Sequence, residues 1–548
     1  MRNPAFNLIG ATLVALFGIG CAGQGSRLLV ADPPVGIRVQ DRYPLDGDRG
    51  PAAAGPWSGP LSVAVPGEVH PERAPLPAND AERLVFAHLY ENLTVIDSEG
   101  LVRPALAERW SDFGGGKVWD ITLRTDARFW DGSPVTAASV ASAWTALAFR
   151  LQQTPHAPTP LAFLPTGAPG LRILDDRSLR ITLPQPVPDL PAVLAHPSLA
   201  VRGRKAEGWT WPLGSGPCRP GQEEEGPVLE PNPLHPSPPT WSSLRILPEG
   251  EAADLAVTRK RNVRDELSRD RRILTGPWNR MQVLICPPAR MGSTAEDRLR
   301  WTTGWSAREL VLRNPVAVSG EAWSWSFQAP EGRICPLDLV PVQSWDWPDF
   351  AWPERTTARD EDLILFPAED PEAAYLAGSI AEWAARPLRP VDSSPAWDPL
   401  QPTRPPRGNL VPQALGLERS VFEAALQSGR AGAYILPLDD VWGSACRQLA
   451  SVTARAVWLQ EESRSPDYAS SPLPQGARPA DPTLDADVPF AEQSALRLQN
   501  GRVLLPLTVS RMVVGMRREL GGLVWRHDGL PDLTGLGRTS GSAGYQSP

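Results

Sequence analysis

Lysine is almost missing from this chain of 548 residues: it stands only at positions 117, 205 and 260, and arginine supplies nearly all of the 54 positive charges. Against 62 acidic residues the formal net charge is −8, so the basic excess with which proteins neutralise phosphates is lacking, which argues against nucleic acid as a partner. Acidic runs are short too, none longer than Glu223-Glu224-Glu225, so no charged tail is offered. Five cysteines are too few for a disulfide framework in a chain of this length, and their separations contain no C-x-x-C or other zinc spacing. The six histidines, His70, His88, His156, His196, His235 and His527, are scattered, with no H-E-x-x-H among them. No run of 18 apolar residues occurs, which leaves no segment with the length and apolarity of a spanning helix.

Catalytic templates are absent as well. A phosphate loop would need glycine where Ser111 stands and Ser or Thr where Val118 follows Gly116-Lys117. Gly214-Ser215-Gly216 has the wrong spacing for a strained nucleophile turn. Neighbouring carboxylates such as Asp439-Asp440 can act as acid and base, but in a loop they are more often simply solvated. The residues therefore point away from an enzyme and imply no metal and no cofactor; a hydrolase assembled from distant residues is the reading left open.

What is present begins at the N-terminus. Arg2 precedes an apolar run from Leu8 to Gly20, about 13 residues, which fits the 7–15-residue core of an export signal. It ends in Gly18-Ile19-Gly20-Cys21, which resembles the lipobox of bacterial lipoproteins, with Gly18 in place of the usual leucine. Residues 1–20 are accordingly expected to be a signal peptide and Cys21 the lipidated residue; ordinary signal cleavage and a retained anchor are the alternatives. Residues 21–60, with Asp32-Pro33-Pro34 and Pro51-Ala52-Ala53-Ala54-Gly55-Pro56, lack periodicity and read as a tether with a span of ~31–37 Å. Four cysteines remain beyond it, Cys218, Cys286, Cys335 and Cys446, which can pair in three ways if they pair at all.

Periodic structure follows. Leu61 to Val65 reads as a strand, and Asn79 with Glu82 three residues later opens a helix whose Val85, Leu89 and Leu93 share a face. Trp119, Ile121 and Leu123 alternate with polar residues at strand period, and Asp131-Gly132 marks a turn. Thr136 caps a helix with Val140, Ala143, Trp144 and Leu147 on one side, and Leu171–Leu174 with Leu179–Leu183 form a hairpin. Further on, Leu363–Phe366 and Tyr434–Leu438 read as strands and Pro371–Trp383 and Val421–Leu426 as helices, while Trp397–Pro412 is a proline-rich loop. Val503–Val509 and Val513-Val514 suggest two closing strands, and residues 535–548 look loose. Helices and strands alternate, so the class is mixed α/β.

The stretch Ala81-Glu82-Arg83-Leu84-Val85-Phe86-Ala87-His88-Leu89-Tyr90-Glu91-Asn92-Leu93, then Asp97 to Trp110, then Trp119 to Ala137 with Phe129-Trp130-Asp131-Gly132-Ser133-Pro134-Val135-Thr136, resembles the bacterial extracellular solute-binding proteins of family 5. These are the oligopeptide, dipeptide and nickel-binding components of ABC importers. Leu213-Gly214-Ser215-Gly216-Pro217 stands where that family has G-T-G-P-Y, Leu229-Glu230-Pro231-Asn232-Pro233 is similar to its following strand, and Leu505-Pro506-Leu507 to its closing one. Departures are Ala137-Ala138-Ser139-Val140 for the usual Ala-Glu-Asp-Val, Val69-His70-Pro71 for Leu-Asp-Pro, and Cys218 for the tyrosine.

The resemblance implies a two-lobed periplasmic-binding-protein-like fold (type II, cluster C-like) with mixed sheets and a hinge, closing on a small solute such as a peptide held between the lobes. Lobe I would take residues 61–250 and a return segment 485–534, and lobe II residues 251–484. Expected partners are a small solute, an ABC permease and, through the lipid anchor, the membrane of the periplasm or cell-envelope surface. An acidic residue of the second lobe holds the peptide amino terminus in such binders, and Ala433–Asp440 resembles the strand and loop that carry it, so Asp439 or Asp440 is the candidate. Glu68 and His70, where the first strand meets the cleft, and Tyr90 are further candidate contacts; the bland readings are surface loop and helix core. Trp323, Trp325, Trp345 and Trp347 either line an apolar pocket or pack the core. A diverged sensor or scaffold lipoprotein that no longer transports is the competing function.

Overall fold

Pro60–Val65 (β2) forms a strand because alternate apolar side chains and β-branched valines suit a pleated, half-buried surface; Leu61, Val63 and Val65 are buried. The computed structural model describes residues 50–97, 101–153, 170–183, 190–205, 210–221, 226–260, 271–287, 314, 316, 363–384, 413–429, 431–439 and 504–540. Cys21, Asp440, Cys335, Cys446, the loop Trp397–Pro412 and Trp323, Trp325, Trp345 and Trp347 lie outside the described residues.

The main sheet has ten strands in the order β15-β14-β16-β13-β17-β12-β2-β11-β10-β9. One end holds β9 (Cys218–Pro220), β10 (Val228–Pro231), β11 (Ser243–Pro248), β2 and β12 (Leu255–Thr258); the other holds β14 (Leu363–Pro367), β15 (Gln413–Leu417) and β16 (Ala433–Asp439). Between them run two long antiparallel strands, β13 (Arg271–Ile285) and β17 (Leu504–Arg517). Both parallel and antiparallel neighbours occur: β2 is parallel to β11 and β12, and β14 to β15 and β16, while β13 and β17 are antiparallel to all their partners.

Smaller pieces complete the first end. β5 (Ala107–Asp112), β6 (Val118–Leu123), β8 (Ser178–Thr182) and β7 (Leu171–Ile173) form an antiparallel sheet in that order, and β3 (Thr94–Ile96) pairs with β4 (Val102–Pro104). Helices α1 (Asp80–Leu89) and α2 (Ala137–Gln153) and the single turn α3 (Leu190–Val193) pack there, whereas α4 (Pro371–Ala384) and α5 (Arg419–Ser428) pack at the other end. The Asn79 side chain accepts the Glu82 amide at 2.9 Å and the Thr136 hydroxyl accepts the Ser139 amide at 3.2 Å, so both helix starts form where the cap residues call for them.

Two hydrophobic cores form among the described residues. The larger gathers α1, α2, the four-stranded sheet and the first end of the main sheet; the smaller gathers Leu284, Cys286, Ile364, Phe366, Leu376, Ile380, Ala433 and Ile435 around α4. The long strands serve both. Leu274 of β13 and Met512, Val514 and Met516 of β17 belong to the larger core, while Leu284 and Leu507 belong to the smaller one. Midway the β13–β17 ladder slips between Thr275 and Trp278, Trp278 and Arg280, and Gln282 and Val283. Pro277 and Pro506, which lack the N–H a ladder needs, lie in this irregular stretch.

Two expectations are corrected. The closing strands are one, β17, because an interior strand shared by two cores tolerates polar residues such as Thr508 and Ser510 where one core ends and the other begins. The segments taken as tether and loose tail are partly ordered: β1 (Gly55–Pro56) pairs with β21 (Gly537–Arg538), which also pairs with β18 (Leu520–Gly521), and Leu536 is fully buried. Glycine and proline hid this pairing, since they carry no strand periodicity. A last two-stranded piece joins β19 (Val524–Trp525) to β20 (Pro531–Asp532).

Candidate functional site

The seam between the cores is where the chain spends its buried polar groups. Asp80, in the first turn of α1, accepts from Arg259 Nε at 2.8 Å and from Arg280 Nη2 at 3.2 Å, with Arg83 Nη1 at 3.6 Å. Burial opposes ionisation of this carboxyl, but Arg259, Arg280 and Arg83 outweigh it and hold its pKa down at about 2. Arg259 also donates to Asn279 Oδ1 at 2.8 Å, and Asn279 Nδ2 donates to the Asp528 carbonyl at 3.1 Å.

Arg280 faces both ways. Its Nη1 lies 3.4 Å from Asp370 Oδ2, and Asp370 caps α4 by accepting the amides of Glu372 and Ala373 at 3.0 Å each. One guanidinium on a shared strand thus ties the first turn of α1 to the first turn of α4. Beside it Glu372 is buried and accepts from Thr508 Oγ1 at 2.7 Å, Ser510 Oγ at 2.8 Å, Gln282 Nε2 at 3.4 Å and Asn314 Nδ2 at 3.4 Å. Burial and the neighbouring Asp370 carboxylate push the Glu372 pKa up despite those donors.

The sequence candidates fall around this seam unequally. Glu68 is exposed and His70 half-exposed, on the loop that leaves β2. That loop is fastened to α1: Asn79 Nδ2 donates to the Glu68 carbonyl at 2.7 Å, and Glu82 Oε1 accepts the His70 amide at 3.1 Å while its Oε2 accepts the Ala78 amide at 2.6 Å. Gly67 makes the approach possible, with φ +103° and no room for a Cβ beside Asn79. Asp439 closes β16 directly opposite Arg280 in the ladder, so its backbone stands one strand from the residue that reaches Asp80. Glu68 and His70 therefore lie beside the N-terminal turn of α1, and the Asp439 backbone lies one strand from Arg280, whose side chain reaches that turn.

Tyr90 does not join them. It sits at the far end of α1, 3% exposed, its hydroxyl donating to the Pro212 carbonyl at 3.0 Å and its ring packed against Phe86 and Trp130. Burial drives its phenol pKa strongly upward. Its place is in the core, where the ring meets other aromatics and the hydroxyl is already used.

Other motif positions hold the fold. Asn232 donates to the Gly216 carbonyl at 2.8 Å, and Gly216 donates to the Leu89 carbonyl at 3.0 Å, locking the Gly214-Ser215-Gly216 turn against α1. Gly214 lies so near the Leu89 carbonyl and Trp130 that any side chain would collide. Cys218 is buried and its thiol pKa raised by burial, and Cys286 is buried in the smaller core. Among the described residues no group of three or more His, Cys, Asp or Glu side chains is placed to hold a metal, and no helix is long and apolar enough to cross a membrane.

Sequence reasoning missed Arg259, Arg280, Asp370, Glu372 and Arg419. Asp370-Pro371 before an apolar helix was a legible cap, but nothing local says that its partner is Arg280.

Two strands shared by two cores across a polar seam, within a mixed α/β sheet, is the architecture of the two-lobed periplasmic substrate-binding proteins. A crystal structure of Haemophilus influenzae OppA in complex with the peptide RPPGFSPFR superposes with TM-score 0.59 at 14% identity, covering 89% of this chain and 100% of that one. Residues 102–261 match the family model for bacterial extracellular solute-binding proteins, family 5 Middle. Among curated relatives, a probable deoxycholate-binding periplasmic protein, YgiS of Escherichia coli K12, is 36% identical over 147 residues, 24% of this chain and 27% of the relative. The periplasmic oligopeptide-binding protein OppA of Salmonella typhimurium is 28% identical over 229 residues, 38% of each chain. The chain thus matches well under half the length of these curated relatives. Over residues 102–261 the sequence is similar to family 5 of the bacterial extracellular solute-binding proteins, the fold is shared with such proteins, and the proteins matched are binding proteins rather than enzymes.

Proposed function

We propose that this chain is the extracytoplasmic solute-binding component of an ABC importer, which captures a peptide between its two cores and delivers it to a permease. The observation that supports the reading is the seam: β13 and β17 join the cores, Glu68 and His70 lie beside the turn of α1, and Asp439 pairs in the ladder with Arg280, which reaches that turn. Lobe I, residues 61–250 with the return segment 485–534, then supplies most of the larger core, and lobe II, residues 251–484, most of the smaller, with Leu255, Val257 and Leu274 crossing to the larger and Leu507 to the smaller. A ligand touching both lobes binds the closed arrangement better than the open one, which is what drives closure. Asp439, or Asp440 beyond it, receives the peptide amino group, and Glu68 and His70 meet the ligand from the first lobe. Residues 1–20 direct export and Cys21 carries the lipid that holds the protein at the envelope; Cys21→Ser is expected to free it from membranes.

The peptide reading leans on the oligopeptide-binding relatives, and the deoxycholate-binding relative favours a second one, an amphipathic carboxylate. Titration calorimetry of the purified chain with RPPGFSPFR and with deoxycholate separates them. Heat of binding with the peptide and none with deoxycholate is expected. The reverse result moves the ligand class, and an inert protein that also yields no co-purified solute by native mass spectrometry overturns the assignment.

A further inference from the structure

Arg419 is the first residue of α5, a helix that packs on β14 and β15 and sets Phe422 edge-on against Tyr434 of β16. All these elements belong to the far end of the main sheet. Yet Arg419 Nη1 donates to the Ala78 carbonyl at 2.7 Å, 341 residues away, on the loop that carries Glu68 and His70 at the larger core. Ala78 is no loose end, since its own amide is held by the buried Glu82 carboxylate at 2.6 Å.

Two arginines therefore link the start of α1, one at its first turn and one at the loop before it, to the far end of the main sheet, and they differ in leverage. Arg280 stands on β13, the strand both cores share, so its bonds to Asp80 and Asp370 would change little in a rotation about the seam. Arg419 stands off that strand on a helix packed against β14 and β15, so a rotation of those strands about the seam would carry it away from Ala78. Its guanidinium is only part-buried, and when the bond opens water can replace a carbonyl at little cost.

We propose that Arg419 is a positioning residue for solute capture: a strap from α5 to the Ala78 carbonyl that stabilises the closed arrangement and so tightens ligand binding without touching the ligand. The proposal rests on the reading of the seam as a ligand cleft. Because a ligand that favours one of two states is held more tightly as that state becomes more populated, loss of a charge-assisted bond made only on closure lowers the closed population roughly tenfold.

The test uses the full-length chain as Arg419→Met, which keeps the apolar stem, and Arg419→Lys, which keeps a charged donor. Small-angle scattering of the ligand-free proteins is expected to show a larger radius of gyration for Arg419→Met than for the parent, with unchanged far-UV circular dichroism, and partial return in Arg419→Lys. With RPPGFSPFR as probe, stopped-flow is expected to give a roughly tenfold faster dissociation for Arg419→Met with association nearly unchanged, a split that a general loss of folding would not produce. Scattering curves of Arg419→Met and parent that superimpose overturn the strap. Should the parent itself fail to bind the probe, the peptide reading falls, and the scattering comparison still decides the strap.

Discussion

His88 accepts the backbone amide of Leu533 on Nε2 at 3.1 Å, although 445 residues separate them, while its Nδ1 lies 2.7 Å from the Leu84 carbonyl of its own helix. A carbonyl can only accept and an amide can only donate, so the ring must be neutral with its proton on Nδ1. Through it the C-terminal segment is fastened to α1.

His88 is fully buried, and burial lowers its pKa below the ordinary 6.5, with Asp532 pulling weakly the other way. A histidine whose folded pKa is depressed takes up protons more readily when unfolded, so its contribution is present above the unfolded value and is lost as pH falls through the folded one. Melts recorded from about pH 7 to about pH 5 should therefore show falling stability, and His88→Phe, which removes the acceptor for Leu533, should start roughly 1–3 kcal/mol lower and show a flatter slope. An equally steep slope in His88→Phe would place the titration elsewhere.

Asp80 supplies the opposite pole. Its pKa is held at about 2 against an ordinary 3.8, so its share of the stability, on the order of 2 kcal/mol, is present above about pH 4 and lost as pH falls through about 2. Asp80→Asn leaves Arg259 and Arg280 buried without their shared carboxylate, and a loss of about 3–5 kcal/mol in urea unfolding is expected. The variant should also lose the acid-side slope between about pH 4 and pH 2; retention of that slope would assign it to another carboxylate.

Much of the first core was legible in the sequence because its signals are local. Asn79 and Glu82 stand three residues apart and cap α1 as read, and Trp119, Ile121 and Leu123 alternate as β6 requires. The long strand β13 was not legible, since Gly276-Pro277 interrupts its middle and its two halves face different cores. The seam was invisible for a related reason: Asp80 lies 179 residues from Arg259 and 200 from Arg280, and no local pattern records a partner at that range. The loop candidates Glu68 and His70 came from a resemblance, and Tyr90 went to the core because its ring face belongs to the apolar side of α1.

Glu372 behaves unlike Asp80, although both are buried carboxyls. Its pKa is raised by burial and by Asp370, so the folded chain binds a proton there more readily than the unfolded one; stability is fullest below the ordinary 4.5 and falls as pH rises through the folded value. Glu372→Gln keeps the shape and removes the charge, leaving Thr508 and Ser510 with an amide to bond. Urea unfolding should find the variant within about 1 kcal/mol of the parent near neutrality and free of the decline above pH 4.5, whereas a large loss at every pH would mean that the negative charge itself holds the seam.

The final expectation concerns which residues meet solute. His70 and Glu68 offer side chains to solvent beside the turn of α1, and Asp439 ends the strand opposite Arg280, whereas the Tyr90 hydroxyl is spent on the Pro212 carbonyl. If Asp439 receives the peptide amino group as proposed, Asp439→Asn should weaken binding of RPPGFSPFR by roughly tenfold or more, with His70→Ala and Glu68→Gln smaller in effect. Tyr90→Phe should leave the calorimetric affinity unchanged while lowering stability by about 1 kcal/mol, since it deletes a buried hydrogen bond and leaves the Pro212 carbonyl without its donor. If Tyr90→Phe instead weakens binding at constant stability, the phenol belongs to the ligand site and α1 must rotate on closure to bring it there.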